Sequence, residues 1–207
     1  VPERLSSSGQ WIGAITRQNA HLPEGRKFHG GELKKPEVKA AWEAVDTLAK
    51  KSICLRRTFQ VGDATEGGTN RKPGKKIVEA TAYVCGLGFY EFSLNGQKVG
   101  NSEFAPLWSD YDKTVYYNTY DVTEQLRRGE NVVGILLGNG FYNVQGGRYR
   151  KLQISFGPPT LLFELVINYE DGTCTTVHSD NNWKYDFSPV TFNCIYGGEA
   201  VSYTHLR

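Results

Sequence analysis

Two short stretches of the chain combine aromatic rings with amide and carboxylate groups, a combination that suits the binding of a sugar. They are PLWSDYD at residues 106–112 and GNGFYN at residues 138–143. Aromatic rings offer a platform for the C–H face of a sugar, and fixed polar groups bond its hydroxyls. The predicted carbohydrate-binding residues are Trp108, Asp110, Tyr111, Asn139, Phe141, Tyr142 and Asn143. The structural alternative is that the rings plug one end of a β-sheet fold and Asn139 only forms a turn.

Hydrolysis of a glycosidic bond is a second chemistry to consider, and it needs two carboxyl groups across one cleft. The candidates are Glu91, Asp110, Asp112 and Glu199. Alternation places Glu91 on the strand face opposite Tyr90 and Phe92, where a carboxylate is solvated or ion-paired. Loop aspartates ordinarily bond the turn itself. Because the sequence also has no Gly-x-Ser-x-Gly and no phosphate loop, we predict no catalytic residue in this chain.

The cysteines lack the spacing of a metal site. Cys54, Cys85, Cys174 and Cys194 lie far apart, with no Cys-x-x-Cys pair. Cys54 and Cys85 fall within predicted strands, where a cysteine behaves as a small apolar residue. We therefore predict free thiols, with disulfides of an exported protein as the alternative.

Composition excludes several partners. The 207 residues include 24 basic and 22 acidic side chains, for a net charge of +2. So balanced a charge predicts no binding to nucleic acid or to an anionic membrane, and no apolar run is long enough to span a bilayer. The sequence has no Met, even at its first position, so we expect it to be a piece of a longer protein.

Period-two alternation begins at Ile53 and predicts antiparallel strands. In ICLRRTFQV the apolar residues share one face, and in IVEATAYVCGLGFYEFSL the alternation from Val78 to Leu94 is interrupted by Gly86 and Gly88. These glycines predict a bulge or a bend at a sandwich corner. The Asn-Gly pair at residues 95–96 predicts a tight hairpin, because both turn positions need positive φ.

The later segments complete an all-β pattern. The stretch DVTEQLRRGEN predicts a short helical turn, with Asp121 as cap, Glu124 as the capping-box partner and Gly129 as terminator. The apolar run VVGILLG predicts a central strand buried on both faces. With no βαβ alternation, the predicted fold is an antiparallel jelly-roll β-sandwich.

The chain divides into three predicted regions. Residues 1–52 form a mixed, partly helical extension, in which WIGAI predicts a strand and PEVKAAWEAVDTLAKKS a helix. Residues 53–200 form the sandwich. Residues 201–207 are treated separately because of the pattern described next.

Several motifs occur in the order found in one family of enzymes. They include GLGFYE, LNGQKVG, APLWSDY, YDVT, GNGFY, SDNNWK and YGGE. Together they resemble the N-terminal β-sandwich module of bacterial α-L-rhamnosidases, over roughly residues 53–199. The family usually continues Tyr-Asp-Ala-Arg after Gly-Glu, whereas this chain continues AVSYTHLR. We therefore expect residues 201–207 to be a non-native tail of translated adapter sequence.

The resemblance implies a function for a larger protein. The parent would be an inverting glycoside hydrolase of the bacterial periplasm or exterior, with its catalytic (α/α) barrel outside this chain. This module would contact that barrel and help bind a rhamnose-containing glycan. Related modules that bind L-rhamnose with calcium imply a Ca²⁺ site at Asp110 and Asp112.

The alternative function is a structural spacer that braces the barrel and has no ligand of its own. An exposed apolar patch around Trp11, Ile12 and Trp42 would favour this alternative.

Overall fold

The computed structural model describes residues 12–13, 51–62, 75–144 and 154–202, and these residues form strands joined by turns. Within these ranges, a 3₁₀ turn covers Thr123–Gln125. The strands are β1 (Ile12–Gly13), β2 (Ile53–Val61), β3 (Ile77–Leu87), β4 (Phe89–Leu94), β5 (Gln97–Lys98), β6 (Asn118–Asp121), β7 (Gly129–Gly138), β8 (Asn143–Val144), β9 (Ile154–Ser155), β10 (Thr160–Tyr169), β11 (Cys174–His178), β12 (Lys184–Phe187), β13 (Val190–Cys194) and β14 (Gly198–Val201).

Two antiparallel sheets of five strands pack face to face. One has the order β1-β10-β3-β6, with β11 also paired to β10, and the other has the order β12-β2-β7-β4-β5. Two short ribbons, β13–β14 and β8–β9, stand beside them. The prediction of an antiparallel β-sandwich is confirmed.

The core lies between the two large sheets. Alternate residues of β2, β3, β4, β7 and β10 point inward and are almost completely buried. Phe163 lies at its centre, with its ring centroid 5.8 Å from Phe92 and 5.3 Å from Trp183. The inward face predicted for β2 is confirmed at every position: Ile53, Leu55, Phe59 and Val61 are all buried.

The paired glycines lie where the chain passes from one sheet to the other. Strand β3 belongs to the first sheet and β4 to the second, and Gly88 alone separates them, at φ +127°. A Cβ atom added at Gly88 would overlap the carbonyl oxygen of Gly138. The predicted bend at a sandwich corner is therefore confirmed, and the absent side chain lets the ends of β4 and β7 approach.

The Asn95–Gly96 hairpin is confirmed, and it has a second role. Both residues have positive φ, at 54° and 80°, as the tight turn requires. The Asn95 amide also donates to Asn131 Oδ1 at 2.9 Å and accepts from the Val132 N–H at 3.0 Å. The turn residue thus ties the β4–β5 hairpin to β7.

Three local predictions need correction. Val78 was predicted to face inward but is 60% exposed. The register between β3 and β10 shifts at Asn168–Tyr169, and Ile77 packs against the core instead. Strand β7 is fully buried on one face only, and its other face is half-buried. The capping box is wrong: Val122 occupies the N-cap position and no side chain caps the turn.

Asp121 nevertheless shapes that turn. Its Oδ1 accepts from the Thr123 backbone N–H at 3.0 Å and from the Thr123 hydroxyl at 2.6 Å. These hydrogen bonds lower the pKa of the Asp121 carboxyl. Predicted terminator Gly129 instead begins β7, at φ 89°.

All four cysteines are free thiols, as predicted. Cys85 and Cys194 are buried, whereas Cys54 and Cys174 are exposed. Burial raises the pKa of the Cys85 thiol to about 12, so it is inert at neutral pH. Cys54 lies in a strand but on its outer face, so its packing role is smaller than we predicted.

Most of the extension falls outside the described residues. This applies to the predicted helix and to the patch of Trp11 and Trp42, whereas Ile12 pairs with Leu161 of β10. At the other end, β14 includes Val201, paired with Val190, and the predicted tail boundary stays a prediction. No helix in the described part of the chain is long and apolar enough to cross a membrane.

Gly88→Ala should destabilise the protein by ~2 kcal/mol or more, because the added methyl group collides with backbone rather than with a movable side chain. Gly96→Ala is the matched control. The φ of Gly96 is also positive, but a Cβ atom added there would meet no other part of the chain within 4 Å. The control should cost about 1 kcal/mol, from backbone strain alone. Urea unfolding of both variants measures the difference, and equal losses would contradict the role assigned to the corner.

Candidate functional site

The two aromatic stretches singled out in the sequence meet at one end of the sandwich. The rings of Trp108 and Phe141 stack with centroids 5.3 Å apart and planes at 26°. Tyr111 and Tyr142 meet edge to face at 5.1 Å. Residues 106–112 and 138–143 therefore form one surface.

The loop that carries Trp108 is held at both ends. Before it, Ala105 forms a bridge to Tyr90, whose N–H donates to the Ala105 carbonyl at 2.9 Å. After it, the Asp110 carbonyl accepts from the N–H groups of Lys113 and Thr114, both at 2.8 Å. The loop is thus anchored by backbone bonds, and Trp108 remains 60% exposed between the anchors.

Buried amides position the loop that carries Phe141. The Asn139 N–H donates to Asn193 Oδ1 at 2.7 Å, and its Nδ2 donates to the Asn193 carbonyl at 3.0 Å. Asn143 Nδ2 donates to Asn139 Oδ1 at 2.8 Å. Asn139 and Asn143 are only 1% and 2% exposed. Their amides therefore bond the protein rather than face the surface, which differs from the hydroxyl-binding role that their residue types suggested.

A cavity of about 400 Å³ lies beneath the exposed rings. Its lining residues are Trp108, Ser109, Asp110, Tyr111, Phe141, Val144 and Phe156. Four of the seven predicted residues are among them. Tyr142 supports the cavity wall from behind, stacked on Phe156 at 5.7 Å.

Phe156 is the aromatic residue that sequence reasoning missed. It follows β9, and its N–H donates to the Tyr142 carbonyl at 3.0 Å. The pairing of β8 with β9 places its ring 5.4 Å from that of Tyr111. No local motif marks Phe156, because only the pairing of strands distant in sequence brings it to the site.

The Tyr111 hydroxyl is buried and has no hydrogen-bond partner among the described residues. Burial raises the pKa of Tyr111 to about 12, with smaller contributions from Tyr142 and Cys85. The phenol is therefore protonated at neutral pH and can donate a hydrogen bond. An unpaired buried hydroxyl costs free energy that a ligand could recover.

Asp110 is the carboxylate beside the cavity. Its Oδ2 forms an exposed ion pair with Lys113 at 2.8 Å, and its Oδ1 accepts from the Asp112 N–H at 3.4 Å. The hydrogen bond from Lys113 to Asp110 raises the pKa of that lysine. Asp110 thus offers an exposed acceptor at the rim of the site.

The implied calcium ion does not fit this donor set. Calcium takes six to eight oxygen ligands, whereas here one of two neighbouring carboxylates is already paired with an ammonium group. Within the described residues, no group of three or more His, Cys, Asp or Glu side chains could hold a metal ion.

The four carboxylates considered for hydrolysis do not all line one cavity, although two of them, Glu91 and Glu199, share one. Asp110 lines the cavity beneath Trp108, whereas Glu91 and Glu199 line a separate cavity on the outer face of the second sheet. Asp112 lines neither of these two cavities.

The fold and its aromatic end define an antiparallel β-sandwich domain with a concave, partly apolar surface at one end. Residues 75–205 match the family model described as "Alpha-L-rhamnosidase N-terminal domain", and the chain belongs to that family. The resemblance read from the motifs is thereby confirmed.

The relatives are much longer enzymes. The chain is 47% identical over 130 residues to an α-L-rhamnosidase of Formosa agariphila, covering 61% of this chain and 14% of the relative. It is 35% identical to an α-L-rhamnosidase of Streptomyces avermitilis, covering 79% and 15%. A crystal structure of Streptomyces avermitilis α-L-rhamnosidase complexed with L-rhamnose aligns with a TM-score of 0.61 at 32% identity, over 74% of this chain and 14% of that one. The chain thus spans about 15% of the length of these relatives.

Asn139→Ala should lower the free energy of unfolding by about 2–3 kcal/mol, because it removes hydrogen bonds to Asn193 and to the buried Asn143 amide. Asn101→Ala, at an exposed turn position, is the control and should change stability by less than about 0.5 kcal/mol. Thermal and urea unfolding provide the measurement. A loss no larger than that of the control would show that the amide network does not hold the loop.

Tyr111→Phe should leave stability unchanged or raise it slightly, because the lost hydroxyl has no partner among the described residues. The sign of its pH effect follows from a folded pKa of about 12 against an ordinary phenol pKa of 10.0. The stability that depends on a protonated Tyr111 phenol is fully present below pH 10. It is lost between pH 10 and 12, because the phenol ionises in the unfolded chain before it ionises in the folded protein. Tyr111→Phe should therefore lose less stability over that window than the parent, as measured by urea unfolding at each pH. Parallel pH profiles would contradict burial of the phenol.

Proposed function

We propose that this chain is a non-catalytic carbohydrate-recognition module of an α-L-rhamnosidase. It helps to bind rhamnosylated glycans, which a catalytic domain outside this chain hydrolyses with inversion. The observation that carries the proposal is the stacked pair of exposed Trp108 and half-buried Phe141, which lines a cavity together with the polar residues Ser109, Asp110 and Tyr111.

The chemistry of the cavity suits L-rhamnose. This sugar is a 6-deoxyhexose, so its methyl group and C–H face can pack on aromatic rings while its hydroxyls need acceptors and donors. Trp108 and Phe141 supply the rings. Asp110 supplies an acceptor, and the buried Tyr111 hydroxyl, which has no partner among the described residues, supplies a donor. The Streptomyces avermitilis relative was crystallised with L-rhamnose, which supports the choice of ligand.

Asn139 and Asn143 have an indirect role in this proposal. They hold the Gly140–Phe141 turn in place, while the surface groups contact the sugar. Tyr142 likewise supports Tyr111 and Phe156 from behind. Pre-formed sites of this kind bind with little loss of side-chain freedom.

A second function, bracing of the catalytic domain, is favoured by one observation. Phe104, Leu107 and Trp108 are 64%, 76% and 60% exposed within five residues of sequence. A contiguous apolar surface of this kind suits contact with another domain. Under this alternative, the site would have no ligand of its own.

The purified chain should bind L-rhamnose saturably below about 10 mM, which corresponds to a binding free energy stronger than about −3 kcal/mol. Trp108→Ala should weaken binding at least tenfold, or about 1.4 kcal/mol, because it removes the exposed half of the platform. Tyr111→Phe should weaken binding without loss of stability. Titration followed by NMR chemical shifts measures all three proteins.

Tyr185→Ala is the matched control, because Tyr185 is 61% exposed but lines neither cavity. It should bind L-rhamnose like the parent. A flat titration of a folded parent chain would reject sugar binding and favour bracing. Equal losses in Trp108→Ala and Tyr185→Ala would locate binding elsewhere.

A further inference from the structure

The aromatic surface continues beyond the proposed rhamnose site. Phe141 packs edge to face on Phe89 with centroids 5.7 Å apart, and Phe89 contacts Phe104 at 5.4 Å. Phe104 is 64% exposed. A continuous row of rings therefore runs from Trp108 through Phe141 and Phe89 to Phe104.

A second cavity, of about 360 Å³, lies at the far end of this row. Phe89 and Phe104 line it, together with Leu136 on the half-buried face of β7 and Ile195 in the β13–β14 turn. Gly140 also lines it, whereas the next residue, Phe141, lines the first cavity. The two cavities are thus separated by one turn of the chain.

Gly140 makes this close spacing possible. Its φ is +53°, and a Cβ atom added there would lie 2.8 Å from the Phe89 nitrogen and 3.1 Å from its ring. Any side chain would push the turn away from the start of β4 and break the row of rings. The absence of a side chain keeps the two cavities on one surface.

The rim of the second cavity is rich in hydrogen-bond acceptors. Glu103 is paired with Lys98 at 2.9 Å. The carboxylates of Glu91 and Glu199 also line the cavity, and Glu91 interacts with Lys98 only through its charge, not by a hydrogen bond. A site with an aromatic platform and carboxylate acceptors matches the chemistry of the first cavity.

We propose that this second cavity is a binding subsite for the sugar to which the rhamnosyl unit is attached. The inference rests on the proposed function, and it extends the ligand from a monosaccharide to a rhamnosyl disaccharide. In this arrangement Phe104 carries the C–H face of the second sugar, and Glu91 and Glu199 accept its hydroxyls. Trp108 and Phe141 hold the terminal rhamnose.

A basic segment of another protein is the competing occupant, because carboxylates also attract Lys and Arg. Two observations favour the sugar. The aromatic row links this cavity directly to the first one, and Glu103 already has its own cation in Lys98. The experiment nevertheless includes a probe for a basic partner.

The test compares L-rhamnose with the disaccharide α-L-rhamnopyranosyl-(1→6)-D-glucose, each titrated into the full chain and followed by NMR chemical shifts. The disaccharide should bind about tenfold more tightly than the monosaccharide. Phe104→Ala should abolish that gain and leave L-rhamnose affinity unchanged. Glu91→Gln should reduce the gain, because the neutral amide is a weaker acceptor. Tyr185→Ala should keep the gain in full.

Each other outcome overturns the inference in a distinguishable way. If L-rhamnose binds and the disaccharide binds no more tightly, the second subsite is wrong and the proposed function stands. If neither sugar binds, both are wrong. If tetralysine shifts the signals around Phe104 and displaces the disaccharide, the cavity belongs to a basic protein partner.

Discussion

The Asn139 amide joins three parts of the chain that are distant in sequence. Asn139 follows the last residue of β7. Its amide donates to Asn193 in β13 and accepts a hydrogen bond from Asn143, the first residue of β8. Asn139 and Asn143 are buried and Asn193 is half-buried, so losing these bonds costs free energy that water does not fully restore. Phe141 and Tyr142 sit between two of the bonded residues, and their positions depend on this network. The row of rings is therefore held by an interaction that no ligand would touch.

The bend at Gly88 also positions residues at this end of the sandwich. Because the chain crosses there from one sheet to the other, the start of β4 lies against the end of β7. Phe89 is thereby brought under Phe141, and Gly140 lets the two approach closely. Backbone packing by glycines and side-chain bonding by asparagines combine to build one surface. Neither device would suffice alone.

The site carries groups that do not favour the folded state by themselves. Trp108 and Phe104 expose large apolar rings to water, and the Tyr111 hydroxyl has no partner in the described part of the chain. These features cost stability unless something binds to them. They occur together at one end of the sandwich, whereas the core between the sheets is closely packed. This contrast is what supports a binding role for that end.

Local sequence patterns determined much of this protein. Alternation set the inward face of β2, the Asn95–Gly96 pair set a hairpin, and Gly88 marked the corner, because each depends on the backbone geometry of a few neighbouring residues. The family was also readable, since its motifs lie in order along the chain. The predictions were wrong where the packing of a residue depends on strands that are distant in sequence. A register shift against β10 turned Val78 outward, and incomplete cover left one face of β7 half-buried.

The candidate site also has some features that local sequence predicts and others that depend on distant strands. The sequence by itself determined which residue types and loops could bind a sugar, because aromatic and amide groups cluster at residues 106–112 and 138–143. Only the tertiary structure decided that Trp108 stacks on Phe141, that Phe156 joins them, and that Asn139 turns inward to Asn193. The physical reason is that whether an amide faces a ligand or a buried carbonyl depends on strands far away in sequence, which no local pattern records.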